Sequence, residues 1–148
     1  MQKIKTGKGL DIILITSILI LTFLVNLNLF SVPFLYDDYD FLFKWKTIQS
    51  LENIPSLLLG NTPAGHEGVY RPLRSIFYMF SLKLFAHNIF LYHIQELIVY
   101  SLCIILVYLI TEKMFKNKSL SFLTTLSFAC ASIHIDNIAN LTANFDTI

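Results

Sequence analysis

The sequence predicts an all-α, polytopic helical membrane protein, and three observations carry that prediction. Of its 148 residues 55% are hydrophobic and only 14% are charged, where an average soluble domain is roughly a quarter charged. Leu10 to Phe30 is almost wholly apolar, and about 20 such residues at 1.5 Å each match a hydrocarbon core of about 30 Å. Two further apolar runs, starting at Leu91 and Leu120, follow beyond a polar stretch. The formal net charge of +1 and the absence of a basic stripe give no support to a nucleic-acid partner. Cys103 and Cys130 sit inside apolar runs without motif spacing. They read as small core residues rather than as a disulfide or a metal pair.

The first span covers about 10–31. Lys3, Lys5 and Lys8 precede it with no acid among them; Asp11 interrupts its start, and Asn26 and Asn28 its end. A cleaved signal peptide would have a shorter apolar core, about 7–15 residues, and an A-x-A-like site after it, and neither is present. Pro33 ends the helix and opens an outer loop, 32–89, with the acids Asp37, Asp38 and Asp40 and an aromatic-basic stretch, Phe41 to Lys46. Ile48, Leu51, Ile54, Leu57 and Leu58 then recur at helical spacing, interrupted by Pro55, which predicts one or two short helices lying in the membrane interface. A turn-rich run, Gly60 to Gly68, follows. Pro72 suits the first turn of a helix, expected over Leu73 to Ala86 with Ile76, Phe77, Phe80 and Leu84 on one side and Arg74, Ser81 and Lys83 elsewhere. At about 14 residues, about 21 Å, that helix is too short to span.

A second span is expected at about 90–111 and a third at about 119–135, joined by the basic loop 112–118. The lysine-rich N-terminus and that loop both belong on the cytoplasmic side by the positive-inside rule. Three spans satisfy this, with Asp37, Asp38, Arg71, His134 and Asp136 together on the outer face. Counting Leu73–Ala86 as a fourth span would move the basic loop outside and part the two polar clusters. The expected location is therefore an integral, multi-pass protein of a bacterial inner membrane or its equivalent, N-terminus inside.

The polar residues allow more than one role each. Asp37 or Asp38 either caps an interfacial helix or acts as a general base taking a proton from an acceptor hydroxyl. Arg71 is a planar, permanently charged donor suited to phosphate oxygens, or an interface anchor. His134 and Asp136 are two apart, so an extended backbone would turn both to one side, as a cation site requires. His93 and Glu96 share a helix face, and Glu96, one to two turns inside the membrane, is expected to face the protein interior and pair with His93 or with a partner beyond this sequence. His66 and His87 read as surface histidines. Asn140-Leu141-Thr142 matches the N-glycosylation acceptor pattern and is assigned no role.

Taken in order, Phe34-Leu35-Tyr36-Asp37-Asp38, Tyr70-Arg71-Pro72-Leu73, Tyr92-His93 and His134-Ile135-Asp136-Asn137-Ile138-Ala139-Asn140 resemble the N-terminal part of GT-C membrane glycosyltransferases. The nearest resemblance is to the transmembrane-and-tetratricopeptide O-mannosyltransferases and their bacterial relatives. It implies an inverting transfer from a polyprenyl-phosphate-linked sugar, with Asp37 as base and Asp38 in support. It further implies that Arg71 holds the lipid phosphate, with Tyr70 and Glu96 as substrate-binding residues. His134 with Asp136 would complete the site or bind a divalent cation, no other cofactor being implied; the sugar acceptor is left open. The pattern departs in three places: Ala131-Ser132 replaces a His-Pro, Glu96 an asparagine and Asn140 a tryptophan. Relatives have many more spans, so the chain is expected to be a fragment of a larger GT-C fold. The alternative is a small non-enzymatic membrane protein or subunit that uses its polar residues for helix pairing.

Overall fold

The computed structural model describes residues 5–35, 37–60, 70–131 and 138–141. The regular structure among the described residues is entirely helical. Helix α1, Lys5–Val25, continues through a 3-10 turn over Leu27–Ser31. The Asn26 amide donates to the Thr22 carbonyl at 2.8 Å, a local bond that competes with the backbone ladder and helps end the regular helix there. Helix α6, Ile89–Phe115, has 27 residues. Gly9–Ser31 and α6 are both long and apolar enough to cross a membrane, yet only 17% and 28% of their most apolar stretches are buried. The core helix of a soluble protein of this size would be mostly covered.

The third expected span is helical over Lys118–Ala129 only, 12 residues, called α7. Asn117 caps its start by accepting from the Leu120 N–H at 3.1 Å. At its far end Cys130 leaves helical geometry (φ −97°, ψ 1°), and residues 132–137 lie outside the described part. The α6–α7 turn is made by Lys116 in the left-handed region (φ 51°), its N–H returning to the Glu112 carbonyl at 2.8 Å.

Ile18, Leu29, Leu97, Tyr100, Ile104 and Ile138 form the core where α1, α6 and α7 meet. At one end of this bundle Asp11 accepts from the Tyr108 hydroxyl at 2.9 Å and pairs with the Lys118 ammonium at 2.7 Å. The start of α1 and the basic loop 112–118 therefore lie at the same end.

The outer loop folds as short helices: α2 (Asp37–Tyr39), a π turn (Asp40–Lys44), α3 (Lys46–Gln49), a 3-10 turn (Leu51–Asn53) and α4 (Ile54–Leu58). The Trp45 N–H reaches the Asp40 carbonyl five residues back at 3.2 Å. That wider turn precedes a bend and leaves Phe41 and Leu42 in a second core with Ile48, Leu57, Tyr78, Met79, Tyr92 and Leu141. One or two short helices were the expectation for Ile48 to Leu58, and α3 and α4 with the 3-10 turn between them occupy that stretch.

Helix α5, Pro72–Phe85, starts on its proline and matches the expected 14-residue element. It buries polar side chains beside apolar ones: Met79 and Tyr78 join the core. Arg74, Tyr78 and Ser81, at i, i+4 and i+7, are buried, while Leu73, Phe80 and Leu84 are 50–75% exposed. The turn from α5 to α6 closes with the Asn88 N–H on the Phe85 carbonyl at 2.9 Å and puts Ala86 at φ 49°, ψ −117°. That is the first central position of a type II′ turn, which glycine fills without strain. Ala86→Gly is expected to stabilise the protein by about 1 kcal/mol, read as a higher thermal unfolding midpoint; an unchanged or lower midpoint would contradict the strain.

Candidate active site

Asp38 is the centre of the outer-loop site. Its own N–H donates to the Leu35 carbonyl at 2.8 Å, and its Oδ2 accepts from the Leu35 N–H at 3.1 Å. This reciprocal pair closes a turn at the helix start, with the Asp38 side chain reaching back to backbone as in a capping arrangement. The same Oδ2 accepts from the Leu141 N–H at 3.4 Å. With 0% of its surface exposed, Asp38 is spent on holding backbone in place. Asp37 opens the same helical turn, one residue earlier.

Around Asp38 the fold gathers groups from three other segments. The Tyr78 hydroxyl, on α5, lies 2.8 Å from Glu96 Oε1 on α6 and 2.5 Å from the Leu141 carbonyl. Tyr78 and Glu96 are both 0% exposed. Arg74, one helical turn before Tyr78 and 7% exposed, lies with its guanidinium carbon 4.7 Å from the Phe41 ring centroid, a cation–π contact. Phe41 itself meets Trp45 and Tyr78 edge-on at 4.8 and 5.7 Å. Burial pushes the Tyr78 phenol well above its ordinary range, with the Glu96 and Asp38 carboxyls adding to the shift and Arg74 opposing it. Tyr78 therefore stays a hydrogen-bond donor at any physiological pH.

A turn further out, the Ser81 hydroxyl donates to Gln95 Oε1 at 2.7 Å, extending the polar seam between α5 and α6. His93 faces a different neighbour: its Nε2 lies 2.9 Å from the Val32 carbonyl. A carbonyl only accepts, so Nε2 carries the proton, and Nδ1 has no partner among the described residues. Glu96 thus pairs with Tyr78 across to α5.

Of the residues singled out from sequence, the structure brings Asp38 and Glu96 together around Tyr78. Tyr70 is not part of this network; it is 60% exposed and donates to the Leu58 carbonyl at 2.7 Å, tying the lead into α5 onto α4. Arg71 is half-buried just before α5. His134 and Asp136, the expected cation pair, lie outside the described residues, and among the described residues no three His, Cys, Asp or Glu side chains form a metal-binding group. Sequence reading missed Arg74 and Tyr78. The signal for both was their i, i+4, i+7 spacing with Ser81, a polar stripe on a helix whose other side is apolar.

The arrangement is an all-helical chain with two membrane-length helices and a buried carboxyl–phenol–guanidinium cluster where its outer loop meets α6. Over 80 residues the chain is 31% identical to human Protein O-mannosyl-transferase TMTC1, a match covering 53% of this chain and 9% of the human protein. It is 30% identical to the mouse protein of the same name over the same length, covering 53% of this chain and 8% of that protein. The chain thus spans about a tenth of the length of these relatives, and the likeness supports a glycosyltransferase relation. No family model and no solved structure matches it.

Proposed function

We propose that the chain is the N-terminal portion of an inverting membrane glycosyltransferase. It moves a sugar from a polyprenyl-phosphate donor to an acceptor hydroxyl on the non-cytoplasmic face. The observation that carries the reading is the anchored Asp37–Asp38 turn: Asp38 accepts from the Leu35 and Leu141 N–H groups, which fixes the turn that Asp37 begins. The partial likeness to O-mannosyltransferases supports the same reaction class and makes mannose and a protein hydroxyl the first substrates to try.

In this mechanism Asp37 takes the proton of the acceptor hydroxyl as its oxygen bonds to the anomeric carbon from the face opposite the phosphate. The bond from that carbon to the phosphate oxygen breaks, and polyprenyl phosphate leaves with the electron pair. Arg71, just before α5, offsets the charge on the departing phosphate, with Tyr70 at the same entrance. His134 and Asp136 stand a few residues before the Ile138–Leu141 segment that covers Asp38; they would complete the site or hold a divalent cation, which supplies further charge to the leaving group. In this reading the N-terminus and loop 112–118 lie in the cytoplasm.

In the full-length protein, Asp37→Asn is expected to lower mannosyl transfer from polyprenyl-phosphate mannose by at least about 100-fold, the lower end of what a general base contributes, with membrane insertion intact. Undiminished transfer sinks the assignment. One observation favours the non-enzymatic alternative: Tyr78, Glu96 and Asp38 all bond to other parts of the same chain. Such a helix-pairing protein would show no transfer in the wild type either.

A further inference from the structure

The Tyr78 hydroxyl has one hydrogen and two close oxygen neighbours, Leu141 O at 2.5 Å and Glu96 Oε1 at 2.8 Å. A backbone carbonyl has no hydrogen to give, so the shorter contact uses the phenol's own. That leaves a phenol lone pair facing the Glu96 carboxyl at hydrogen-bond distance. Two oxygens approach this closely when a hydrogen lies between them, and the hydrogen available is the carboxyl's.

The burial agrees. Among the described residues, the ionisable groups packed around this point are Asp38 from α2, Arg74 and Tyr78 from α5 and Glu96 from α6. Glu96 is 0% exposed, and an ionised carboxylate is costly to hold away from water.

We propose that Glu96 is a proton-bearing positioning residue: its carboxyl donates to Tyr78, Tyr78 donates to the Leu141 carbonyl, and the Leu141 N–H is thereby presented to Asp38. Three successive hydrogen bonds pointing one way fix the backbone beneath the catalytic turn, and two buried carboxyls take different protonation states. This rests on the reading of Asp37–Asp38 as the reacting turn, but its structural part stands apart from that reading.

The test uses the protein in lipid nanodiscs with two readouts. In infrared difference spectra at neutral pH, Glu96→Gln is expected to remove the carbonyl-stretch band of a protonated carboxyl. In the transfer assay with polyprenyl-phosphate mannose, Glu96→Leu is expected to lower kcat at least tenfold. Glu96→Gln is expected to restore most of it, because an amide N–H can donate to Tyr78 as the neutral acid does. If Glu96→Gln removes carboxylate bands instead, or is as defective as Glu96→Leu, the proposal is overturned. Absence of transfer by the full-length protein that carries this N-terminal portion would overturn the glycosyltransferase reading, while the infrared result would still decide the state of Glu96.

Discussion

Asp38→Ala is expected to cost the protein about 3–5 kcal/mol, the usual penalty for removing one member of a buried charged set. That is most of a typical folding stability of about 5–15 kcal/mol. The loss has two parts. The Leu35 and Leu141 N–H groups lose the carboxylate oxygen they share, and the buried Arg74 guanidinium loses an anion from its surroundings. Asp38→Asn is expected to be milder, because the amide oxygen keeps both N–H acceptors and the volume is unchanged. The measurement is the thermal unfolding midpoint of detergent-solubilised protein, with recovery of monodisperse material as a second readout. An alanine variant that melts like the wild type would show that Asp38 is not the anchor of the turn.

The second large effect is expected from Tyr78→Phe. The ring stays, and with it the edge-on packing against Phe41 at 5.7 Å; only the hydroxyl is lost. Its removal leaves the Leu141 carbonyl and the Glu96 carboxyl each short of a partner inside the fold, at about 1–3 kcal/mol for each. Because both bonds meet at one atom, the effect is not additive with changes at Glu96. The double variant Tyr78→Phe, Glu96→Leu should therefore be more stable than the sum of the singles predicts. Faster amide exchange at Leu141 in Tyr78→Phe, with the exchange of α6 amides around Ile104 unchanged, would locate the damage; strictly additive losses would mean that the hydroxyl does not join α5, α6 and segment 138–141.

How much of this was legible in the sequence follows from what each element faces. Helices α1 and α6 announce themselves because their apolar runs are long on every side, and α5 because a proline sets its start. The expectation that Glu96 faces the interior follows from the expense of a carboxyl in an apolar helix and holds, but its partner is Tyr78 of this same chain and not the expected His93, which turns to the Val32 carbonyl. The expected third span, 119–135, is the weakest segment. Ser121 and Thr125 turn their hydroxyls back onto the Asn117 and Ser121 carbonyls, so its polar residues are absorbed locally and α7 ends at Ala129.

Arg74 and Tyr78 were hidden for a different reason. Patterning rules place the polar face of a helix outward, and α5 instead buries Arg74, Ser75 and Ser81 along with Tyr78 and Met79. The Asp38–Leu141 contact, separated by 103 residues, leaves no local trace at all. Of the candidate site, sequence gave the acids and the order of motifs, and the fold added the phenol and the guanidinium that connect them.

Segment 138–141 also sets a schedule. Ile138 belongs to the core among α1, α6 and α7, and Leu141 to the core of the outer loop, so one short stretch completes both. During synthesis α1 can form as soon as it leaves the ribosome, because its bonds are local. The Asp38 carboxylate and the Tyr78 hydroxyl wait until residue 141 has been made, 103 and 63 positions later. For that interval the nascent outer loop carries charges destined for burial, still bathed in water, and they are sealed only when the last of these residues arrives.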